Sequence, residues 1–144
     1  MLTIDANVFV SARVLTELHH SDSDGFLNRA VQKAIDIFCP TLVVPEVTSA
    51  LARSSGDTRL ARAAVSQIGS FPYLSLIELT EGRALLAAAV AVAQRLRGAD
   101  SVYVAVAQEY GTTLITWDVE LLTRGALSVP TMTPSDWLAA NPNI

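Results

Sequence analysis

Four acidic residues, Asp5, Glu46, Asp100 and Asp118, are spread along almost the whole chain, yet each falls where a strand ends or a helix begins. Carboxylates gathered from such positions repel one another and raise one another's pKa, each unit being worth about 1.4 kcal/mol. A fold tolerates the cluster when a cation compensates it, and the hard ions Mg²⁺ and Mn²⁺ prefer oxygen ligands. The chemistry open to such a site is phosphodiester hydrolysis. A carboxylate-held ion activates water, relieves charge on the nonbridging oxygens and stabilises the leaving alkoxide without a titrating side chain. Histidine chemistry is not offered: His19 and His20 are adjacent in a polar stretch and read as solvated residues.

Each acid also has a plainer role. Asp5, Asp100 and Asp118 stand where an aspartate caps exposed helix amides, and Glu46 in a first helical turn suits the helix dipole. Tyr103, three residues after Asp100, excludes a capping box there. It is the conjunction of four acids that favours an ion site.

The elements that must position them follow from hydropathy. Short β-branched runs at Leu2–Ile4, Thr41–Val44, Leu74–Leu79, Thr112–Thr116 and about Leu127–Thr131 alternate with stretches of helical periodicity. This order predicts an α/β fold, a three-layer α/β/α sandwich with a central parallel sheet of four to five strands. Ligands in such folds collect at the carboxyl edge of the sheet, where Asp5, Glu46 and Asp118 would meet after their strands. Helices are expected over Ala6–Val14, Phe26–Phe38, Pro45–Arg53, Thr58–Ile68, Thr80 to about Gly98, Asp100–Tyr110, Val119–Leu122 and Pro134–Ala140. Pro45 suits a first helical position and Gly111 a helix stop. His19–Gly25 reads as a loop with acidic capping residues, and residues 45–69 as a helical hairpin.

A length of 144 residues suits one compact domain, 1–144. Cys39 is the single cysteine, which excludes disulfides within the chain and cysteine-based zinc sites and favours a reducing cytoplasm. The amino terminus has Asp5 where an export signal needs a basic start and an unbroken apolar run. Ala84–Ala93, the most apolar stretch, is about half a membrane span and reads as a buried, Ala-rich helix. The 51% hydrophobic content is high for a small domain and hints at a buried partner surface. A net charge of −4 argues against coating nucleic acid through a general positive field. Lys33 is the sole lysine beside nine arginines, among which Arg53 and Arg97 are candidates for steering phosphates. Trp117 is a candidate for stacking a base.

Four blocks in order carry a resemblance: Leu2-Thr3-Ile4-Asp5-Ala6-Asn7-Val8-Phe9-Val10, Pro45-Glu46-Val47, Arg97-Gly98-Ala99-Asp100-Ser101-Val102-Tyr103, and Thr116-Trp117-Asp118. Together they resemble the PIN-domain nucleases, with length and spacing nearest the VapC-type toxins of toxin–antitoxin pairs. The resemblance covers essentially the whole chain. It implies a metal-dependent endoribonuclease in which Asp5, Glu46, Asp100 and Asp118 hold Mg²⁺ or Mn²⁺ directly or through water. Asn7 and Thr116 match positions where the family has polar residues that orient waters or carboxylates. Bulky Trp117 departs from the smaller residue frequent there. A VapB-like antitoxin and a homodimer are further implications, with no membrane association.

Three other readings compete. A PIN nuclease of RNA processing, without antitoxin, keeps the same chemistry. A catalytically silent PIN module would keep the acids and only bind partners. A phospho-receiver module also clusters acids at strand ends, but it needs a lysine late in the chain and Lys33 is early.

Overall fold

The computed structural model describes residues 1–142. Five parallel strands, β1 (Leu2–Ile4), β2 (Ile37–Pro40), β3 (Leu74–Ile77), β4 (Thr113–Ile115) and β5 (Thr131–Met132), form one sheet in the order β3-β2-β1-β4-β5. The chain thus builds outward from β1 to β3 and then returns to the other side of β1. Where strand order reverses in this way, the loops after two neighbouring strands part and leave a crevice at their carboxyl ends. Here those strands are β1 and β4, paired with Ile4 opposite Ile115.

Among the described residues eight α-helices complete three layers: α1 (Ala6–Ser11), α2 (His20–Gln32), α3 (Val43–Ser55), α4 (Thr58–Gly69), α5 (Glu81–Gln94), α6 (Gly98–Tyr110), α7 (Val119–Thr123) and α8 (Pro134–Ala140). Helix α6 packs on β1, β2 and β4, with α5 outside it; α1, α2, α3, α4 and α8 pack among themselves. The sheet strands are buried on both faces at Leu2, Thr3 and Ile4, as parallel strands covered by helices must be. Phe26 of α2 meets Trp137 of α8 edge to face, with ring centroids 5.1 Å apart. No helix among the described residues is long and apolar enough to cross a membrane.

Several expected boundaries move. The polar stretch His19–Gly25 is not a loop; from His20 onward it is the first half of α2. One of its two serines is buried rather than solvated, since Ser23 Oγ bonds Ser11 Oγ at 2.6 Å and receives the Trp117 indole N–H at 2.8 Å. The same helix stops at Gln32, well before Phe38. Ala34 adopts a left-handed φ of 50°, and Ala34 and Ile35 return their amides to Val31 and Ala30. That is a Schellman stop in which alanine stands where glycine normally signals the end. The freed segment Ile37–Pro40 becomes β2, paired with β1 and β3.

The expected strand Thr41–Val44 is therefore the turn into α3, whose first residue is Val43. Pro45 sits third in that helix, where a missing N–H still costs nothing because the first four amides have no intrahelical partner. The fifth strand is also displaced. Gly125–Leu127 is a 3₁₀ turn, and pairing with β4 begins only at Thr131.

The Ala-rich helix α5 is not buried. Only Ala87 and Val90 are, while Leu85 is 67% and Val92 82% exposed. It leans on α6 rather than on the sheet, so small residues suffice on its inner face and the outer face stays in water.

Candidate functional site

Asp5 emerges from β1 as the N-cap residue of α1, yet its side chain caps no helix amide. Instead Oδ2 accepts from Asn7 Nδ2 and from Thr116 Oγ1, both at 2.7 Å. The residue is 7% exposed. Burial pushes its carboxyl up to about 7; the Thr116 hydrogen bond opposes this, and the charges of Asp100 and Glu46 add to it.

Thr116 follows β4 directly and ties the end of that strand to the end of β1. Its hydroxyl donates to Asp5 and accepts from Asn7 Nδ2 at 3.2 Å and from the Asp118 N–H at 2.9 Å. One donor and two acceptor sites are all a hydroxyl has, so this one is saturated. Asn7 Oδ1 in turn accepts the Trp117 N–H at 3.2 Å. The turn carrying Asp118 is thereby fixed to the residue carrying Asp5.

The other three acids arrive from different elements. Asp118 is N-cap of α7, and its Oδ1 accepts from the amides of Glu120 and Leu121 at 2.7 and 3.3 Å. The capping role is real there, but it uses one oxygen. Oδ2 receives Arg97 Nη2 at 2.6 Å. Asp100 lies in the first turn of α6, which begins at Gly98 with Arg97 as its N-cap residue, and its Oδ2 receives Arg97 Nε at 2.7 Å. Burial raises the Asp100 pKa against the opposing effect of Arg97. Glu46, in the first turn of α3, accepts the Tyr103 hydroxyl at 2.6 Å, and burial raises its pKa too.

All four acids line a cavity of about 640 Å³, together with Asn7, Glu17, Ser49, Arg53 and Arg97. Five carboxylates and two guanidinium groups face it, so the cavity is anionic. Thr116 lies beneath it as a buried support. Trp117 does not line it. Its ring stacks on His19 with centroids 3.8 Å apart and planes 9° apart, and its N–H goes to Ser23, so one face of this indole and its N–H anchor α2. Neither histidine is simply solvated, since His20 Nδ1 lies 3.0 Å from the Ser11 carbonyl oxygen.

One residue behind the cavity and one lining it carry no clear mark in the sequence. Tyr103 reads as part of an apolar stripe and is buried there, although its place one helical turn after Asp100 brings its hydroxyl to Glu46. Glu17 lies in the irregular segment after α1, where no periodicity points to it.

The donor set is what a hard divalent cation takes: carboxylate oxygens, one of them buried and close to its ionisation threshold. Among the described residues no three His, Cys, Asp or Glu side chains converge on one ion position. Two of the four acids are instead joined through Arg97. The residues fit a divalent ion in chemistry, on the condition that Arg97 withdraws.

The PIN-domain family model matches residues 2–125 of the sequence. The chain belongs to the PIN-domain family. Solved structures agree on the fold. VapC20 of Mycobacterium tuberculosis, described as a sarcin–ricin-loop-cleaving toxin, superposes with a TM-score of 0.72 at 16% identity, covering 90% of this chain and 96% of that one. FitAcB from Neisseria gonorrhoeae gives 0.70 at 17% identity, over 94% and 99% of the two chains. VapBC2 from Rickettsia felis, bound to a fragment of promoter DNA, gives 0.69 at 13% identity, over 92% and 97%. No curated protein sequence matches this one. In this PIN domain Asp5, Glu46, Asp100 and Asp118 come from the β1–α1 junction, α3, α6 and the β4–α7 turn, and all face the crevice at the reversal of strand order.

Proposed function

We propose that this PIN domain is a metal-dependent endoribonuclease and the toxin of a VapBC-type toxin–antitoxin pair. The observation that carries the reading is Asp5: buried, unused as a helix cap, and facing a cavity shared with Glu46, Asp100 and Asp118. Asp5 and Asp100 are the principal ligands for Mg²⁺ or Mn²⁺, and Glu46 and Asp118 complete the coordination directly or through water. The ion supplies an activated water and charge relief at the scissile phosphate.

The chain's own residues do the positioning. Asn7 and Thr116 hold the Asp5 carboxylate in place, Tyr103 holds Glu46, and Arg53 and Arg97 at the cavity's rim bind phosphates. An RNA strand could not approach the anionic cavity without a cation, which agrees with an ion that enters first. The toxin assignment is supported by the structural likeness to VapC20 and to the VapBC2 complex. An antitoxin of the VapB kind is the expected protein partner, with a basic side chain suited to the acidic cavity.

A cytoplasmic homodimer completes the reading. Its support is α5, whose exposed outer face carries no charge between Ala84 and Ala93. A two-fold axis sets like against like, so an uncharged face can meet its own copy without repulsion.

The test is cleavage of total RNA by purified protein in Mg²⁺, Mn²⁺ or chelator, with Asp5→Asn as control, beside growth on expression with and without a neighbouring small gene. Ion-dependent cleavage lost in the variant, and arrest relieved by the neighbour, are the expected results. Ion-dependent cleavage without arrest would leave an RNA-processing nuclease, and no cleavage under any condition would remove the enzyme reading.

A further inference from the structure

Among the described residues, Arg97 is the one side chain that bridges the carboxylates of two of the four acids. Its Nε donates to Asp100 Oδ2 at 2.7 Å and its Nη2 to Asp118 Oδ2 at 2.6 Å, so a single guanidinium spans carboxylates presented by α6 and by the β4–α7 turn. The pair is not a buried structural lock, because the Arg97 side chain is 65% exposed while those of Asp100 and Asp118 are 14% and 23% exposed. Exposed ion pairs are individually weak and exchange readily. The backbone of Arg97 is held, since it is the N-cap residue of α6 and its carbonyl accepts the Ser101 amide at 3.0 Å. The guanidinium can therefore leave the carboxylates while remaining beside the cavity.

Arg53 makes the contrast. It lines the same cavity and carries the same charge, but it forms no ion pair among the described residues.

We infer that Arg97 is a built-in counter-ion that holds Asp100 and Asp118 together in the cation-free protein, competes with the divalent ion for them, and on displacement turns its fork to the RNA phosphate. This rests on the proposed ion-dependent reading and deepens it: loading the ion and gripping the substrate become one exchange. A guanidinium fork satisfies carboxylate and phosphate oxygens equally well, so the group that an incoming cation releases is already suited to the anion that follows. The two roles also exclude one another in time, because the fork cannot serve Asp100 and Asp118 while it serves a phosphate.

The experiment is calorimetric titration of Mn²⁺ into RNA-free wild type, Arg97→Gln and Arg53→Gln, with circular dichroism to verify the fold. Arg97→Gln should bind Mn²⁺ about tenfold more tightly, the scale expected when two exposed charge-assisted hydrogen bonds no longer compete. Arg53→Gln, with the same loss of charge, should stay within about twofold of wild type. In cleavage at saturating Mn²⁺, Arg97→Gln should raise KM several-fold with a smaller change in kcat. Equal Mn²⁺ affinity in wild type and Arg97→Gln overturns the exchange while leaving the ion site standing. So does equal tightening in both arginine variants, which would reduce the effect to bulk charge. Absence of saturable Mn²⁺ binding in every protein overturns the exchange and the ion-dependent reading together.

Discussion

Thr116 and Asp5 lie 111 residues apart in sequence and are joined by a 2.7 Å hydrogen bond that uses the only proton the threonine hydroxyl has. The bond sits at the carboxyl ends of β1 and β4, the adjacent strands between which the sheet changes direction. It converts a feature of topology into the aim of one carboxylate. Because the same hydroxyl accepts the Asp118 amide, it also sets where the second aspartate begins its turn.

Thr116→Val keeps the shape and removes all three bonds. Leaving the buried Asp5 carboxyl and Asn7 amide short of partners should destabilise the fold by about 1–3 kcal/mol, read by chemical denaturation. Loss of an outer-shell partner should weaken ion affinity or cleavage by about ten- to a hundredfold. Thr116→Ser, which retains the hydroxyl, should recover most of both.

Asp5→Asn should lower RNA cleavage by well over about a hundredfold, beyond what loss of an outer-shell partner does. The folded structure should be kept, as judged by circular dichroism. Full activity in the purified variant would contradict the assignment of Asp5.

The pH dependence of stability has a definite sign. The Asp5 carboxyl is raised from 3.8 to about 7 by burial, so between those values the folded state holds a proton that the unfolded state has lost. In chelator, stability should therefore be greatest near pH 4, fall as pH rises toward 7 and level off above, by an amount on the order of 4 kcal/mol. Glu46 and Asp100 are also raised and act in the same direction. Asp5→Asn should flatten the slope, and denaturation midpoints at pH 5 and pH 8 check it.

Val92→Glu tests the proposed dimer. Val92 is 82% exposed, so the isolated fold should lose no more than about 0.5 kcal/mol. A charge set against its own copy should shift the protein to monomer in light scattering. A wild type that is already monomeric would set aside α5 as a dimer surface.

The sequence discloses the meeting of the four acids better than it discloses the boundaries of the elements around them. The β–α alternation and the acids at element ends are local signals, and the five-stranded parallel sheet and the shared cavity follow from them. What escapes local reading is decided by backbone conformation and tertiary contact. Ala34 ends α2 in a left-handed turn without the glycine that would announce it, which displaces β2 by several residues. Ser23 and Gly25 read as loop residues, yet Ser23 is buried against Ser11 and Trp117, and a side chain at Gly25 would lie against Leu138 of α8. For α5, periodicity gives a helix but not its depth, since nothing in an alanine-rich run says that it packs on α6 instead of the sheet. The bridge from Arg97 to Asp100 and Asp118 is likewise beyond the sequence, which shows only an arginine near an acid.

Whether the carboxylates around Asp5 form a site for a divalent cation is tested most directly by calorimetric titration of Mn²⁺ at pH 6 in buffers of different ionisation enthalpy. An ion that binds beside a carboxyl with a pKa of about 7 must expel its proton. The expected result is saturable binding to wild type with release of close to one proton, and neither in Asp5→Asn. Absence of binding to the wild type, or equal binding with no proton release in both proteins, would contradict such a site.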